Sequence, residues 1–475
     1  MTFLINNQFQ KANGKEFVSI NPANQKIYWQ GNATSPEQIN EVVASSKKAF
    51  ESWSVTSLEE RMTYLEKYNT LLEEKQEFLA NIICEETGKT LIDAKAELRI
   101  MIAKLKTAYQ AYQERTGISK KEIKDSISLT KHKAIGVCVI FGPYNFPGHI
   151  PNGHILPALI AGNTVIFKPS NYCPKFSEEW VKLFIEAGFP AGVINMVQGE
   201  VESSEALSKH PDINAIFFTG STRVGKILHA NLAGKIDKIL ALELGGNNSL
   251  VVDNDFEIEE AVKIAIQSAF VSNGQRCTCA RRIILIDKNN FAENFIKEFV
   301  EQSQKIEIAT PAKTSFMSCL ISKEQAQAVL TKQKQYLDNG ASLLLEAKIQ
   351  KELGEAFISP GIIAINDYDL DEEIFGPFVK IYIAKNLEDA ISKSNQSEFG
   401  LASSILTKTK TNFEQFYQQS KTGLINWNAA TTGAMGIAPF GGTGISGNYR
   451  PSGFYAADYC AYPVASVINQ KALDY

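Results

Sequence analysis

Residues 133–170 read KAIGVCVIFGPYNFPGHIPNGHILPALIAGNTVIFKPS. Two runs in it, IGVCVIF and TVIFK, are short, apolar and rich in β-branched residues, and PNGHILPALIAG between them has the length of a short buried helix. From Ala134 to Phe167 there is no Asp, Glu, Lys or Arg, which is long enough for a membrane span. Gly136, Gly142, Pro143, Pro147, Pro151, Gly153, Pro157 and Gly162 interrupt it, however, and a bilayer-crossing helix of about 20 residues is rarely so punctuated. The stretch therefore reads as strand–helix–strand, apolar because both faces of a parallel sheet are covered.

Working outward, the same alternation recurs. EEWVKLFIEAGFPAGVINMVQG (178–199) and DINAIFFTGSTRVGKILHANLA (212–233) supply two further units, and repetition of this kind defines a doubly wound α/β domain. After KILALELGGNNSLVVD (238–253), the residues Ile258, Ala261, Val262, Ala265, Ile266, Ala269 and Phe270 fall on one helical face. Asn273-Gly274 is expected to end that helix, with Gly274 left-handed, and RRIILID (281–287) reads as a strand. Later runs (FISPGIIAI, FVKIYIA, SSILT, GLINWN) alternate with helical stretches and predict a second α/β domain. Near the N-terminus, Ser35, Pro36 and Gln38 spell a helix start, with residues 55–110 continuing as helix.

A chain of 475 residues suggests about three domains. A net charge of -4 gives no reason to expect nucleic acid or an anionic membrane as partner. The N-terminal residues lack a basic segment followed by an apolar one, so no export signal is read. Seven cysteines, odd in number and irregularly spaced, fit a reducing cytoplasm rather than a disulfide framework. The five histidines all precede the NGQRCTCARR stretch (273–282) without ligand spacing, and no metal site is expected.

Four places carry candidate chemistry. Cys277 is flanked by Arg276, Arg281 and Arg282, whose charge can favour a thiolate, although packing is the default role of a free cysteine and remains so on these facts alone; Cys279 is the better packing residue of the two. Gly220 and Gly225 lie at a strand-to-helix turn where backbone N–H groups can approach phosphate. Ile227 after Lys226 breaks the nucleotide P-loop pattern, however, and G-x-G-x-x-G is absent. Glu243 ends an apolar strand-like run before Gly245-Gly246. It is either a salt-bridge partner or a general base raised by burial. Asn145, in a Gly/Pro loop, is either a turn residue or an amide donor to an oxyanion.

Taken in order, FGPYNFP (141–147), IFKPS (166–170), FTGSTRVG (218–225), LELGGNN (242–248), GQRCT (274–278), EEIFGP (372–377) and PFGGTGISG (439–447) resemble the aldehyde dehydrogenase superfamily over nearly the whole chain. The resemblance implies Cys277 as nucleophile, Asn145 and the Cys277 N–H as oxyanion donors, and Glu243 as base for thioester hydrolysis. Members that transfer the acyl group to coenzyme A typically lack that glutamate. The cofactor implied is NAD: Gly220, Ser221, Thr222, Arg223, Val224 and Gly225 along the pyrophosphate, Lys168 at the adenosine ribose, Glu373 at the nicotinamide ribose and Phe375 nearby. Asn171 stands where many relatives place a ribose-binding glutamate, which leaves NADP open.

Longer strings, including NGQRCTCARR and GNYRPSGFYAADYCAYPVAS (447–466), are similar to a branch acting in arginine catabolism. That similarity implies N-succinyl-L-glutamate 5-semialdehyde as substrate, with glutamate or succinate semialdehyde as alternatives, and a non-catalytic binding protein as the reading of a different class. In that branch a basic residue follows NWN; here Ala429 and Ala430 follow. Arg450 is then the candidate contact to an acidic substrate, against a buried arginine bonding loop carbonyls. The organisation implied is a dinucleotide-binding domain (1–111 and 132–241), a catalytic domain (242–440) and an oligomerisation element (112–131 and 441–475) that makes a homodimer or larger homo-oligomer.

Overall fold

The computed structural model describes residues 2–124, 126–366 and 369–469. Met1, Asp125, Asp367, Tyr368 and residues 470–475, which fall within the expected domain ranges, lie outside the described residues.

Two hairpins open the chain: β1 (Phe3–Ile5) with β2 (Gln8–Gln10), and β3 (Glu16–Ile20) with β4 (Ile27–Asn32). Helix α1 (Pro36–Trp53) starts as its sequence dictates. Ser35 Oγ accepts from the Gln38 N–H while the Gln38 side chain accepts from the Ser35 N–H, a reciprocal cap. Helices α2 (Leu58–Glu74), α3 (Gln76–Thr87) and α4 (Leu91–Thr116) follow, then the antiparallel strands β5 (Ser119–Ile123) and β6 (Ser126–Ala134).

The opening stretch of sequence becomes β7 (Val137–Phe141), α5 (His149–Ala161) and β8 (Thr164–Lys168). The alternation continues through α6 (Pro174–Glu186), β9 (Ile194–Met196), α7 (Val201–Lys209), β10 (Ala215–Thr219), α8 (Thr222–Asn231) and β11 (Ile239–Glu243). These strands form a seven-stranded sheet of order β11-β10-β7-β8-β9-β1-β2, parallel except for the edge hairpin. β7 and β8 are buried at every residue, which is why they carry no polar alternation.

The second half begins with β12 (Asn248–Val252), α9 (Ile258–Phe270), β13 (Ala280–Ile286), α10 (Phe291–Gln304), α11 (Lys323–Asp338), β14 (Ser342–Leu345), β15 (Gly361–Ala364) and β16 (Phe378–Ala384). It continues with α12 (Leu387–Ser394), the two-residue β17 (Phe399–Gly400), β18 (Ala402–Leu406), α13 (Lys410–Gln419) and β19 (Leu424–Trp427). Its sheet, of order β14-β15-β16-β13-β12-β18-β19, is also seven-stranded and parallel but for β14. Each sheet has its own buried apolar layers, such as Ile140, Phe167 and Phe217 in the first and Leu250, Ile283 and Val379 in the second.

The tail holds β20 (Pro439–Phe440), β21 (Thr443–Gly444), β22 (Ser452–Gly453), α14 (Ala456–Cys460) and β23 (Ala461–Asn469). β23 pairs with β6 in a three-stranded sheet of order β23-β6-β5. Of the expected oligomerisation element, residues 112–116 still belong to α4. Residues 441–460 contact both halves: the Leu244 N–H donates to Ser446 O (2.9 Å), Asn448 bridges Leu242 and Leu240 and α14 lies against α4 and α5, while β21 pairs with β17 of the second half.

Helix α9 ends at Phe270, three residues before the expected Asn273. Gly274 is left-handed as expected (φ 68°), but so are Ser272 (φ 51°) and Asn273 (φ 59°). Such backbone persists only where surroundings over-determine it. Here Asn273 donates to Cys319 O (2.8 Å) and accepts from the Ser318 N–H (2.6 Å), while Ser272 Oγ donates to Asp93 (2.9 Å).

Candidate active site

Four strands of the first sheet deliver their C-terminal ends to one region. β7 runs into the loop bearing Asn145, β8 ends on Lys168, β10 on Thr219 before Gly220, and β11 on Glu243. The second sheet meets them with the N-terminal ends of its strands. Gly245-Gly246 lead into β12, Cys277 into β13 and Glu373 into β16. The chain crosses directly from β11 to β12, so Glu243 lies at the junction.

Cys277 is half-buried, and its thiol is pushed well above the ordinary range, first by burial and then by the charges of Glu373 and Glu243. Of the flanking arginines, Arg281 opposes that rise, but burial and the two carboxylates outweigh it. Arg281 donates to the carbonyls of Gly376, Gly274 and Arg276, and Arg282 to those of Asn247, Lys393 and Ser394. Arg276 turns to Ser272 Oγ (3.0 Å) and Asp93. The guanidinium groups of Arg281 and Arg282 serve backbone carbonyls, because a loop wedged between two sheets has carbonyls that water cannot reach. Asn248 locks the same loop, its Nδ2 donating to the carbonyls of Cys277 (2.6 Å) and Cys279 (2.8 Å). Cys279 is fully buried with Sγ near Val271 O (3.7 Å), a packing residue.

Glu243 is buried, and the absence of an opposing cation lets burial raise it to about 8, against a lowering bond from Ser452. The Ser452 N–H donates to Oε1 (3.1 Å), while Oε2 has no partner among the described residues. Asn145 donates one amide hydrogen to Gln275 O (2.9 Å), two residues before Cys277. Its amide has a second hydrogen to give. Glu373 is raised to about 7 by burial, offset by Arg281 and by the Gly246 N–H. A Cβ on Gly245 would occupy the place of the Glu373 carboxylate and displace it.

The polar groups along the first sheet fit a phosphate- and ribose-bearing cofactor. Lys168 is buried with no carboxylate in hydrogen-bonding range; Nζ donates to Pro169 O (3.0 Å), and burial lowers it to about 8. The hydroxyl of Thr219 and Oε1 of Glu373 are buried without partners among the described residues, which ordinary folds avoid unless a ligand or water satisfies them. Ser221 caps α8, accepting from the Val224 N–H (3.4 Å), and Gly225 lies under Leu244. Thr222 donates to Ile445 O (3.5 Å), Arg223 is exposed and Asn171 half-buried. The ring of Phe375 lies 6.0 Å from that of Tyr144, edge-on, and 5.5 Å from the Arg281 guanidinium.

Arg450 is exposed and makes no hydrogen bond or ion pair among the described residues, which removes the alternative of a buried loop-bonding arginine. Ala429 and Ala430 use their carbonyls to accept from Ser404 and Asn426. Ser452 and Gln275 escaped the reading of single residues, because each acts through its backbone and leaves no side-chain signature.

The profile of the aldehyde dehydrogenase family matches residues 9–463, and the chain belongs to that family. It is an enzyme acting on aldehydes. It is 45% identical over 461 residues to N-succinylglutamate 5-semialdehyde dehydrogenase of Pseudomonas fluorescens (strain Pf0-1), covering 96% of this chain and 93% of that one. Among solved structures it is similar to NADP-dependent glyceraldehyde-3-phosphate dehydrogenase from Bacillus halodurans C-125 complexed with NADP, at TM-score 0.92 and 26% identity, covering 99% of both chains. It is also similar to betaine aldehyde dehydrogenase from Staphylococcus aureus in complex with NAD+, at TM-score 0.92 and 25% identity, covering 99% of this chain and 95% of that one. No helix among the described residues is long and apolar enough to cross a membrane, and no group of three or more His, Cys, Asp or Glu among them is placed to hold a metal.

Proposed function

We propose that this enzyme oxidises N-succinyl-L-glutamate 5-semialdehyde to N-succinyl-L-glutamate in arginine catabolism, with NAD or NADP as electron acceptor. The observation that carries the chemistry is Cys277 set against Glu243, a buried carboxyl raised to about 8 with one oxygen free among the described residues. The relative at 45% identity carries the substrate.

Because the resting thiol is held protonated, attack needs a base. Ionised Glu243 takes the proton and releases it to solvent before the second step. Sγ then bonds to the aldehyde carbon, giving a thiohemiacetal whose oxyanion is met by the free Asn145 amide hydrogen and the Cys277 N–H. A bound nicotinamide dinucleotide supplies the hydride acceptor. Lys168, the Gly220–Gly225 turn, Glu373 and Phe375 hold it. The acyl group stays on Sγ as a thioester until Glu243 takes a proton from water, whose oxygen attacks the carbonyl and frees the thiol. Asn171, being neutral, does not repel a 2′-phosphate, so NADP is accepted beside NAD.

The first sheet with its helices acts as the dinucleotide-binding domain and the second as the catalytic domain. The sheet β23-β6-β5 leaves both edges open and exposes Val467 and Ile468, which supports strand pairing between subunits of a cytoplasmic homo-oligomer.

The test is reduced-cofactor formation with N-succinylglutamate semialdehyde beside glutamate and succinate semialdehydes, with NAD and NADP in parallel. A large preference for the succinylated aldehyde is expected. Equal or better rates on the other two overturn the substrate while leaving the chemistry in place.

A further inference from the structure

Lys104, on α4, is nine-tenths buried, yet among the described residues it has neither a hydrogen-bond nor an ion-pair partner. A buried ammonium without an anion is costly, so a fold rarely keeps one unless something else satisfies it. Its Cε and Nζ look across at α5, each 3.9 Å from where a Cβ on Gly153 would sit. Gly153 is half-buried in mid-helix, where glycine weakens the helix. Packing does not demand it, because that added Cβ would meet nothing closer than those two atoms. The glycine thereby leaves, beside the ammonium, room for a Cβ at van der Waals distance.

One turn earlier on α5 stands His149, whose Nδ1 is buried and without a partner among the described residues. Its ring meets that of Phe146 edge-on at 5.9 Å. The same Phe146 ring has Lys89 Nζ at 3.8 Å and the Arg276 guanidinium at 5.3 Å. Lys89 is neutralised by Glu97 (2.5 Å), whose Oε1 also accepts from the Gly148 and His149 N–H groups. Arg276 is only loosely matched by Asp93 at 3.6 Å. Three cations thus meet two carboxylates, and the uncompensated charge is on Lys104. Phe146 follows Asn145 in sequence and Arg276 precedes Cys277, so the cluster adjoins the reacting groups.

We propose that Lys104, His149 and Arg276, opening onto the space left by Gly153, form a specificity site for a carboxylate on the tail of the aldehyde. The inference deepens the reading of a dicarboxylate semialdehyde and rests on it. Burial lowers Lys104 to about 8. A bound carboxylate restores the charged form, which fits a site completed by its ligand.

The experiment compares kcat/KM for N-succinylglutamate semialdehyde and for the neutral aldehyde propanal in the wild type, Lys104→Met, Lys104→Arg and Gly153→Leu, each checked by thermal melting. Lys104→Met should lower the ratio of the two by about 10- to 100-fold, mainly through KM for the succinylated aldehyde. Lys104→Arg should recover part of it, and Gly153→Leu should lower it by closing the space. An unchanged ratio, or an equal loss on both aldehydes, overturns the proposal and makes Lys104 a packing residue. If the wild type has no preference for the succinylated aldehyde, the function proposed above fails. The recess is then read separately in the folded wild type by inhibition of propanal oxidation. Glutarate should inhibit at lower concentration than its diamide, and equal inhibition by the two overturns the recess as well.

Discussion

The two seven-stranded sheets are alike in size and in parallel strand direction, yet they present opposite ends to the site. The first uses the carboxyl ends of its strands, the usual place for ligands in open α/β sheets. Asn145, Lys168, Gly220 and Glu243 all follow or end strands there. The second uses amino ends: Cys277 precedes β13 and Glu373 precedes β16. The first sheet can offer a helix N-terminus at α8 and a buried lysine, which suit phosphate and ribose. The second offers an entering loop pinned by Arg281, Arg282 and Asn248, which holds a nucleophile still. Under the proposed reading the labour is divided unevenly: most cofactor contacts sit on the first sheet with Glu373 added from the second, the nucleophile sits on the second, and Glu243 lies at the crossing between them.

The largest expected effect tests the second sheet's side of that division. Cys277→Ala should reduce turnover by on the order of 10,000-fold or more, while Cys279→Ala keeps most of it. Steady-state assays in which Cys279→Ala is the dead variant would show that the pinned loop presents the other sulfur.

Glu243→Gln tests the crossing. Steady-state rate should fall by about 100- to 10,000-fold, and because Glu243 also takes the thiol proton, rapid mixing should show the burst of reduced cofactor lost or strongly slowed. A burst at the wild-type rate would confine Glu243 to thioester hydrolysis. Because burial raises Glu243 to about 8 and the ionised form is the base, wild-type turnover should climb with pH up to that region and then level. A profile flat from pH 6 to 9 contradicts the assignment.

Asn145→Ala tests the first sheet's contribution to the oxyanion. A loss of about 100- to 1,000-fold in kcat, with KM for cofactor little changed, is expected of an oxyanion donor. A change confined to KM would return Asn145 to binding.

The smallest effect concerns binding alone. Asn171→Glu should shift the ratio of kcat/KM for NADP and NAD toward NAD by roughly tenfold, the scale of one like-charge contact near the surface. An unchanged ratio removes Asn171 from cofactor choice.

Much of the fold was legible because burial on both faces erases polar alternation: the runs at 137–141 and 164–168 could hardly be anything but interior strands. The α1 cap was legible for a different reason, since its hydrogen bonds are local. The end of α9 was misplaced by three residues because Ser272 and Asn273 adopt left-handed backbone only through bonds to Asp93, Cys319 and Ser318, all remote in sequence. The arginines around Cys277 left their direction open in the sequence, and the fold settled it: Arg281 and Arg282 turn toward carbonyls and Arg276 toward Ser272 and Asp93.

The amino-acid sequence by itself determined the α/β class and the ordered motifs that place this chain among aldehyde dehydrogenases. The class depends on local periodicity, and the family on the resemblance of seven ordered motifs to known aldehyde dehydrogenases. Only the tertiary structure decided which end of each sheet faces the site, that burial comes before charge in raising the Cys277 thiol, and that Lys104 meets Gly153 with no paired anion among the described residues. These properties arise from groups far apart in the chain sharing a volume without water, where desolvation and unpaired charge outweigh anything a residue's neighbours in sequence contribute.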